Sequence, residues 1–393
     1  MKTKVTVREI AVPTSLDLTG KSVFLHGENK IVGSGKFEKI TASGPNRVSE
    51  LAAKWQFFLE GLEIQSNTQH STPGVVGLTS IAFSDNSEYE SSITICRSTV
   101  VIKDSVAFEI SFPGEDQVEV TTELSGSFQE GKQSSADFKR AVGQALEQIR
   151  EGKLEKVVLA RDLFLATGAN PDLGPTLNRL HERYPACWIY AIGGVFGASP
   201  ELLLRAERGE VSARVLAGTA GRGTDPDVDR AIADGLSHSL KNKHEHVYAV
   251  QSLVDELRPF CLSVEADQEP FSLALPDLWH LATDVRGKLR AEVNLLDVIA
   301  ALHPTAAVAG TPRGTATEMI DQLEPFDRAG YAGPVGWLSS DGSGEIAIAL
   351  RGAVIEKGGI RAMAGCGIVS ESDPEAELAE TELKFRAIRS AIS

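Results

Sequence analysis

Glu377, Glu380 and Lys384 stand at i, i+3 and i+7 near the end of the chain. At about 100° per residue they fall within roughly 60° of one another on a helix. Leu378, Phe385, Ile388 and Ile392 form the adjoining apolar stripe. Two carboxylates and an amine therefore share the edge of a buried face. Carboxylates so spaced suit Mg²⁺, a hard cation that takes oxygen ligands and keeps water. The same spacing also suits a solvated face carrying an ordinary i, i+4 Glu–Lys pair. Arg351 lies in GEIAIALRGAVI (344–355), which reads as one strand. Ile346, Ile348, Leu350 and Val354 take one face of it, and Glu345, Ala347, Ala349, Arg351 and Ala353 the other. A guanidinium among alanines has space to take a carboxylate bidentately; otherwise it rests on a lightly covered outer face.

Lys156 opens the apolar run VVLA. Apolar surroundings depress an amine's pKa. Work as a general base near pH 7 needs a fall of about three units from 10.4, at a cost of roughly 4 kcal/mol. A strand-edge lysine that reaches out to water fits the same residues. Glu201 follows Ser199-Pro200 at a loop-to-strand junction and is unremarkable by itself. Glu245 lies off the centre of its helix stripe, with His246 nearer to it, so periodicity does not single out Glu245.

Familiar signatures fail. GTAGRG (218–223) lacks the Lys-Ser/Thr of a phosphate loop and does not match GxGxxG. His244-Glu245-His246 has Tyr248 where a zincin needs its second His. GASPE (197–201) is not GxSxG. The four cysteines, at 96, 187, 261 and 366, form no CxxC pair. Net charge is −15, from 39 Lys+Arg against 54 Asp+Glu. No basic excess exists to neutralise the phosphates of a nucleic acid or an anionic membrane. No run of 18 apolar residues occurs, and the N-terminal stretch lacks a signal peptide's apolar core, so a cytoplasmic protein is expected.

These residues need elements to hold them. Residues 1 to about 130 read as short strands and turns, with 99–112 as a strand ending at Pro113-Gly114. Residues 127–137 read as a linker running into a helix that Gly152 ends; Phe138, Val142, Leu146 and Ile149 form its stripe. KVVLAR (156–161) reads as a buried strand, 187–217 as a meander, 225–258 as one long helix, 360–369 as a strand and the stretch after Pro374 as a helix. Hairpins with separate helices predict α+β with large antiparallel sheets. At 393 residues of ordinary composition, with 42% apolar and 24% charged, the chain can bury a core without disulfides or metals.

Ten segments occur in fixed order: KVVLAR (156–161), GASPELLLR (197–205), LAGT (216–219), KHEH (243–246), LWHLATDVRGKL (278–289), ALHPTAAVAGTP (301–312), EPFDRAGYAGPVGW (324–337), ALRGA (349–353), AGCGIV (364–369) and ETELK (380–384). Together they resemble the chorismate-utilising enzymes, most closely the isochorismate synthases of menaquinone and siderophore pathways. The likeness covers roughly 135–390 and is loose over residues 1–130. It implies a single α+β domain over 1–393, of two packed antiparallel sheets with outer helices. It implies an isomerase: a Mg²⁺-dependent enzyme that adds water at C2 of chorismate while the C4 hydroxyl leaves. Lys156 then matches the base and Glu201 the acid, whose carboxyl burial would keep protonated. Glu245 and Glu380 match metal ligands, with Glu377 beside them. Arg351 and Lys384 match binders of substrate carboxylate, with backbone at Gly218 and Gly365. Thr219, His280 and Thr311 fall on the substrate pocket; a structural role suits His280 equally.

Two departures bear on this. Asn242 stands where some relatives have an acidic residue, which shifts metal coordination toward water. Thr311 occupies a place that varies among relatives and bears on whether isochorismate is released. Lys156 favours water over ammonia as nucleophile, so no glutaminase subunit is expected. LAGT lacks the lysine of the PIKGT-like motif. A salicylate synthase, which goes on to eliminate pyruvate, and a non-catalytic chorismate-binding paralogue are the alternatives. The close relatives imply a monomer.

Overall fold

Strands Asn29–Ala42 and Ser91–Lys103 pair antiparallel over almost their whole length and form the spine of the molecule. Two arms of antiparallel ladder leave this spine. The first passes through Ser22–His26, Trp188–Ile192, Val195–Ser199, Gly352–Glu356 and Gly359–Ile368 to Lys156–Ala166. The second passes through Val76–Ser80, Pro334–Ser339, Gly344–Ile348, Leu202–Glu207 and Glu210–Gly221 to Leu278–Leu289. The two expected sheets are therefore joined by hydrogen bonds into one ladder. A single parallel pairing between named strands is described, Thr3–Ile10 with Leu62–Asn67. The computed structural model describes residues 2–114, 121–168, 170–274 and 278–392, with the backbone alone at 240–242, 244 and 245.

The period-2 alternation of each strand sorts its side chains between two cores. Phe24, Trp188, Tyr190, Ile192 and Val195 join a large core that also holds Ile346, Ile348 and Val335 of the second arm. Their neighbours Val23, Leu25, Ile189, Ala191, Phe196 and Ala198 face the opposite way. There they meet Leu177 and Leu180 of helix Gly174–Arg183 and Phe385, Ile388 and Ile392 of helix Pro374–Ile392. The helix after the polar linker runs Ser135–Arg150, capped by Ser134, whose side chain accepts from Asp137 N.

Four sequence expectations are corrected. Residues 47–60 form a helix, Arg47–Glu60, within the part read as strands and turns. The stretch 99–112 turns back on itself at Asp104 and Ser105, both with positive φ (51° and 66°), as a tight hairpin between Ser91–Lys103 and Val106–Ser111. The long helix at 225–258 is two helices, Pro226–His238 and Leu240–Leu257, with Ser239 extended at ψ 115°. Ser237 Oγ and His238 Nδ1 both bond the Asp234 carbonyl, at 2.9 and 2.7 Å, and so compete with the backbone for the last turn. The strand at 344–355 is also two, Gly344–Ile348 and Gly352–Glu356. The chain changes ladder partners between them, from the second arm to the first, and Arg351 sits in the break at φ 53°.

Candidate active site

Strand Lys156–Ala166 ends its arm between Gly359–Ile368 on one side and the short pairing of Gly310 and Thr311 on the other. Gly310 has to be glycine. Its φ is +136°, and a Cβ would lie 2.1 Å from the Lys156 carbonyl oxygen. Gly367 leaves the space that the lysine side chain occupies, since a Cβ there would meet Lys156 Cε at 2.8 Å. Behind the strand, the buried guanidinium of Arg328 donates to the carbonyls of Val158 (2.7 Å) and Val308 (2.9 Å) and pairs with Glu324 at 2.6 Å. Glu324 in turn accepts from Ala160 N at 2.7 Å. One buried ion pair thus fixes the backbone around Lys156.

Glu201 is held from the second arm. Its N–H donates to Ser199 Oγ at 3.2 Å, its carbonyl accepts from Ile348 N at 3.1 Å, and Ser199 Oγ donates to the Ile348 carbonyl at 2.5 Å. Pro200 adds a fixed φ at the break between two strands. Arg351 is aimed by a close approach of backbones. Gly197 and Gly352 face each other, and a Cβ on Gly352 would lie 2.0 Å from the Phe196 carbonyl. The Tyr190 hydroxyl then reaches the Leu350 carbonyl at 2.9 Å. A non-glycine residue at positive φ costs roughly 1–2 kcal/mol, and such strain gathers at functional sites.

These segments wall a cavity of about 370 Å³. Lys156, Glu201, Gly218, Thr219, His280, Arg351, Gly365, Glu380 and Lys384 line it. Thr311 does not; it lines a second, adjoining chamber. Glu377 is not among the lining residues, and its carbonyl accepts from Cys366 Sγ at 3.7 Å. The Glu245 side chain lies outside the described residues, as does that of Asn242. Arg328, Tyr331, Met363 and Gly367 line the cavity without having been picked from sequence. The i, i+4 spacing of Glu324 and Arg328 was the available signal for that pair. His246, which periodicity turned toward the core, is buried, with Nδ1 3.1 Å from the Ala217 carbonyl and Nε2 2.7 Å from Thr283 Oγ1.

The electrostatics sort the groups. Burial raises the Glu201 carboxyl to about 7, against the pull of Lys156, Lys384 and Arg351. Burial also pushes Glu380 up, but Lys384, bonded to it at 2.7 Å, and Arg351 and His280 bring it below the ordinary carboxylate value. Two carboxyl groups lining one cavity are thereby driven apart, one toward the acid and one toward the anion. Lys384 also donates to the Gly365 carbonyl at 2.7 Å. Gly218 sits at φ +85° in a bulge between Leu216 and Thr219, and Thr219 pairs with His280. Burial first, then Arg351 and Lys384, lower His280 to about 4, so its ring is neutral at pH 7. Its Nδ1 lies 3.0 Å from Thr219 Oγ1, and its buried Nε2 has no partner among the described residues.

For a metal, the cavity offers Glu380, an ionised oxygen donor of the kind Mg²⁺ takes, with Glu377 one turn earlier on the helix. Among the described residues no three His, Cys, Asp or Glu side chains gather at one metal position. The donor chemistry of Glu380 fits a hard cation. With Arg351, Lys384 and the raised carboxyl of Glu201 all in its lining, the cavity suits a small polycarboxylate on which a proton is given and another taken.

Residues 98–393 match the family model described as chorismate binding enzyme. The chain is 36% identical to isochorismate synthase MenF of Bacillus subtilis over 65% of its length, and 38% identical to isochorismate synthase EntC of Escherichia coli K12 over 63%. Those alignments span 55% and 65% of the two relatives' own lengths. In fold it is similar to MenF, the menaquinone-specific isochorismate synthase from Escherichia coli, at a TM-score of 0.82 and 23% identity, covering 100% of this chain and 95% of that one.

Proposed function

The chain belongs to the chorismate-binding enzymes, and from that premise we propose that it is an isochorismate synthase. One observation carries the reading: Lys156 and Glu201, 45 residues apart in sequence, line one cavity, and burial raises Glu201 to about 7. The proposed reaction moves a hydroxyl from C4 of chorismate to C2. Lys156 takes a proton from water while the water oxygen bonds to C2. The ring double bonds shift, the C4–O bond breaks, and Glu201 gives its proton to the departing hydroxyl. One water enters and one leaves, so the product is an isomer and the pyruvyl ether is untouched. Each proton transfer is worth typically 10²–10⁴-fold in rate.

Arg351 and Lys384 hold substrate carboxylate, and Thr219 and the bulge at Gly218 shape the wall beside it. His280, neutral and with Nδ1 engaged by Thr219, offers Nε2 as an acceptor to a substrate hydroxyl. Mg²⁺ would be held by Glu245 and Glu380 with Glu377 nearby, and when bound it would neutralise the ring carboxylate. The nucleophile is water from solvent, so no glutaminase subunit takes part. The purified protein, incubated with chorismate and Mg²⁺ and followed by NMR, should give isochorismate alone. Salicylate with pyruvate would assign the pyruvate-eliminating reaction instead, and unchanged chorismate would leave a binding protein.

A further inference from the structure

Beside the catalytic cavity lies a larger chamber of about 660 Å³. The two share Lys156, Glu201, Leu216, Ala217, Ala307 and Val369 as a common wall. The chamber therefore backs onto both groups that handle protons. The cavity has its own route to solvent on another side, where Thr219 is exposed and the Glu380 side chain is 38% exposed.

The chamber's charges do not suit a dicarboxylate. Apart from Lys156 on the shared wall, its only lining cation among the described residues is Arg214. Asp284 engages that guanidinium at 2.6 and 3.0 Å. Glu155 and Glu371 are exposed in the lining, and Glu256 is paired with Arg313. Among apolar residues such as Leu202, Leu203 and Val215, one part of the chamber suits water. Ser252, Thr305, Thr311 and Ser370 bring hydroxyls to it. Thr305 Oγ1 is buried and has no hydrogen-bond partner among the described residues. A buried hydroxyl with no partner is costly unless a water satisfies it.

We propose that this chamber holds and delivers the nucleophilic water, with Thr305 Oγ1 as its anchor, while the anionic substrate enters from the Thr219 and Glu380 side. The inference rests on the isochorismate synthase reading. It separates the path of the neutral reactant from that of the charged one. A filled cavity then still receives water at Lys156.

Filling the chamber tests it. Ala249 and Leu253 line it from helix Leu240–Leu257. Ala249→Phe should lower kcat at least tenfold, leave the chorismate KM within twofold, and leave the pH profile of kcat in place. Adding Leu253→Ala, which reopens volume on the same helix, should restore most of the rate. Thr305→Val should lower kcat several-fold on an unchanged KM. Should Ala249→Phe fail to fold, Ala249→Leu serves. A raised KM in the filled variant would make the chamber the substrate's path, and unchanged kcat would make it idle; either overturns the proposal while isochorismate formation by the wild type stands. Wild-type protein that leaves chorismate unchanged overturns the enzymatic reading itself, and the water path with it.

Discussion

Glu201 is the residue whose chemistry depends most on its surroundings. It titrates at 4.5 in an open chain and at about 7 in the cavity. As a general acid it works protonated, so kcat/KM should fall as pH rises through about 7, and Glu201→Gln should abolish turnover. The same shift has a consequence for stability. Between pH 4.5 and 7 the folded state keeps a proton that the unfolded state has lost. The contribution is thus full below 4.5 and is lost as pH rises through about 7, by at most roughly 3 kcal/mol. Denaturant midpoints measured from pH 4 to 8 should show this loss in the wild type and not in Glu201→Gln. Lys156→Ala should lose about 10²–10⁴-fold in rate and keep its unfolding midpoint; near-wild-type turnover would remove it as the base. Glu380→Gln should weaken the Mg²⁺ dependence, and an unchanged Mg²⁺ titration would take it out of the ligand set. Little of this was legible residue by residue. Alone, Lys156 reads as a strand-edge lysine and Glu201 as a loop glutamate; their order among the ten family segments is what marked them.

At the scale of elements, Gly367 and Arg328 position the strand Lys156–Ala166 from the lining of the cavity. Gly367→Ala would set a methyl 2.8 Å from Lys156 Cε. A displacement near 1 Å can cost about 10²-fold in rate, so this variant should lose kcat with its thermal midpoint nearly unchanged. Arg328→Met is expected to act the other way. It leaves Glu324 as an uncompensated charge in the core, which costs about 3–5 kcal/mol, and should be read first in the urea midpoint. The elements themselves were legible in part: the helices Gly174–Arg183, Leu295–Leu302 and Arg313–Leu323 were not read from the sequence. The helices Ser135–Arg150 and Pro374–Ile392 and the meander from Trp188 follow from periodicity and turns. The break at Arg351 was not legible, because GEIAIALRGAVI alternates as one strand should. It splits because each half finds a different neighbour, and the paired glycines 197 and 352 let those backbones close.

For the whole molecule, the joined ladder predicts one cooperative unfolding event. Ser22–His26 pairs with Trp188–Ile192, and Val76–Ser80 with Pro334–Ser339, so the loosely matching first part of the chain supplies the spine of the catalytic part. A fragment starting at residue 128 would expose the edges of both arms and should fail to give a native transition; coincident near- and far-UV circular dichroism curves for the full chain check the converse. The sequence by itself determined the α+β class, the helices Ser135–Arg150 and Pro374–Ile392, the meander from Trp188, and the order of segments that marks the family, because alternation, capping and turn chemistry are local. Tertiary structure alone decided that Lys156, Glu201, Arg351 and Lys384 share one cavity while Thr311 lines the chamber behind it. Those placements depend on which strands pair across some two hundred residues, and on burial that moves a carboxyl from 4.5 to about 7. No local pattern carries either.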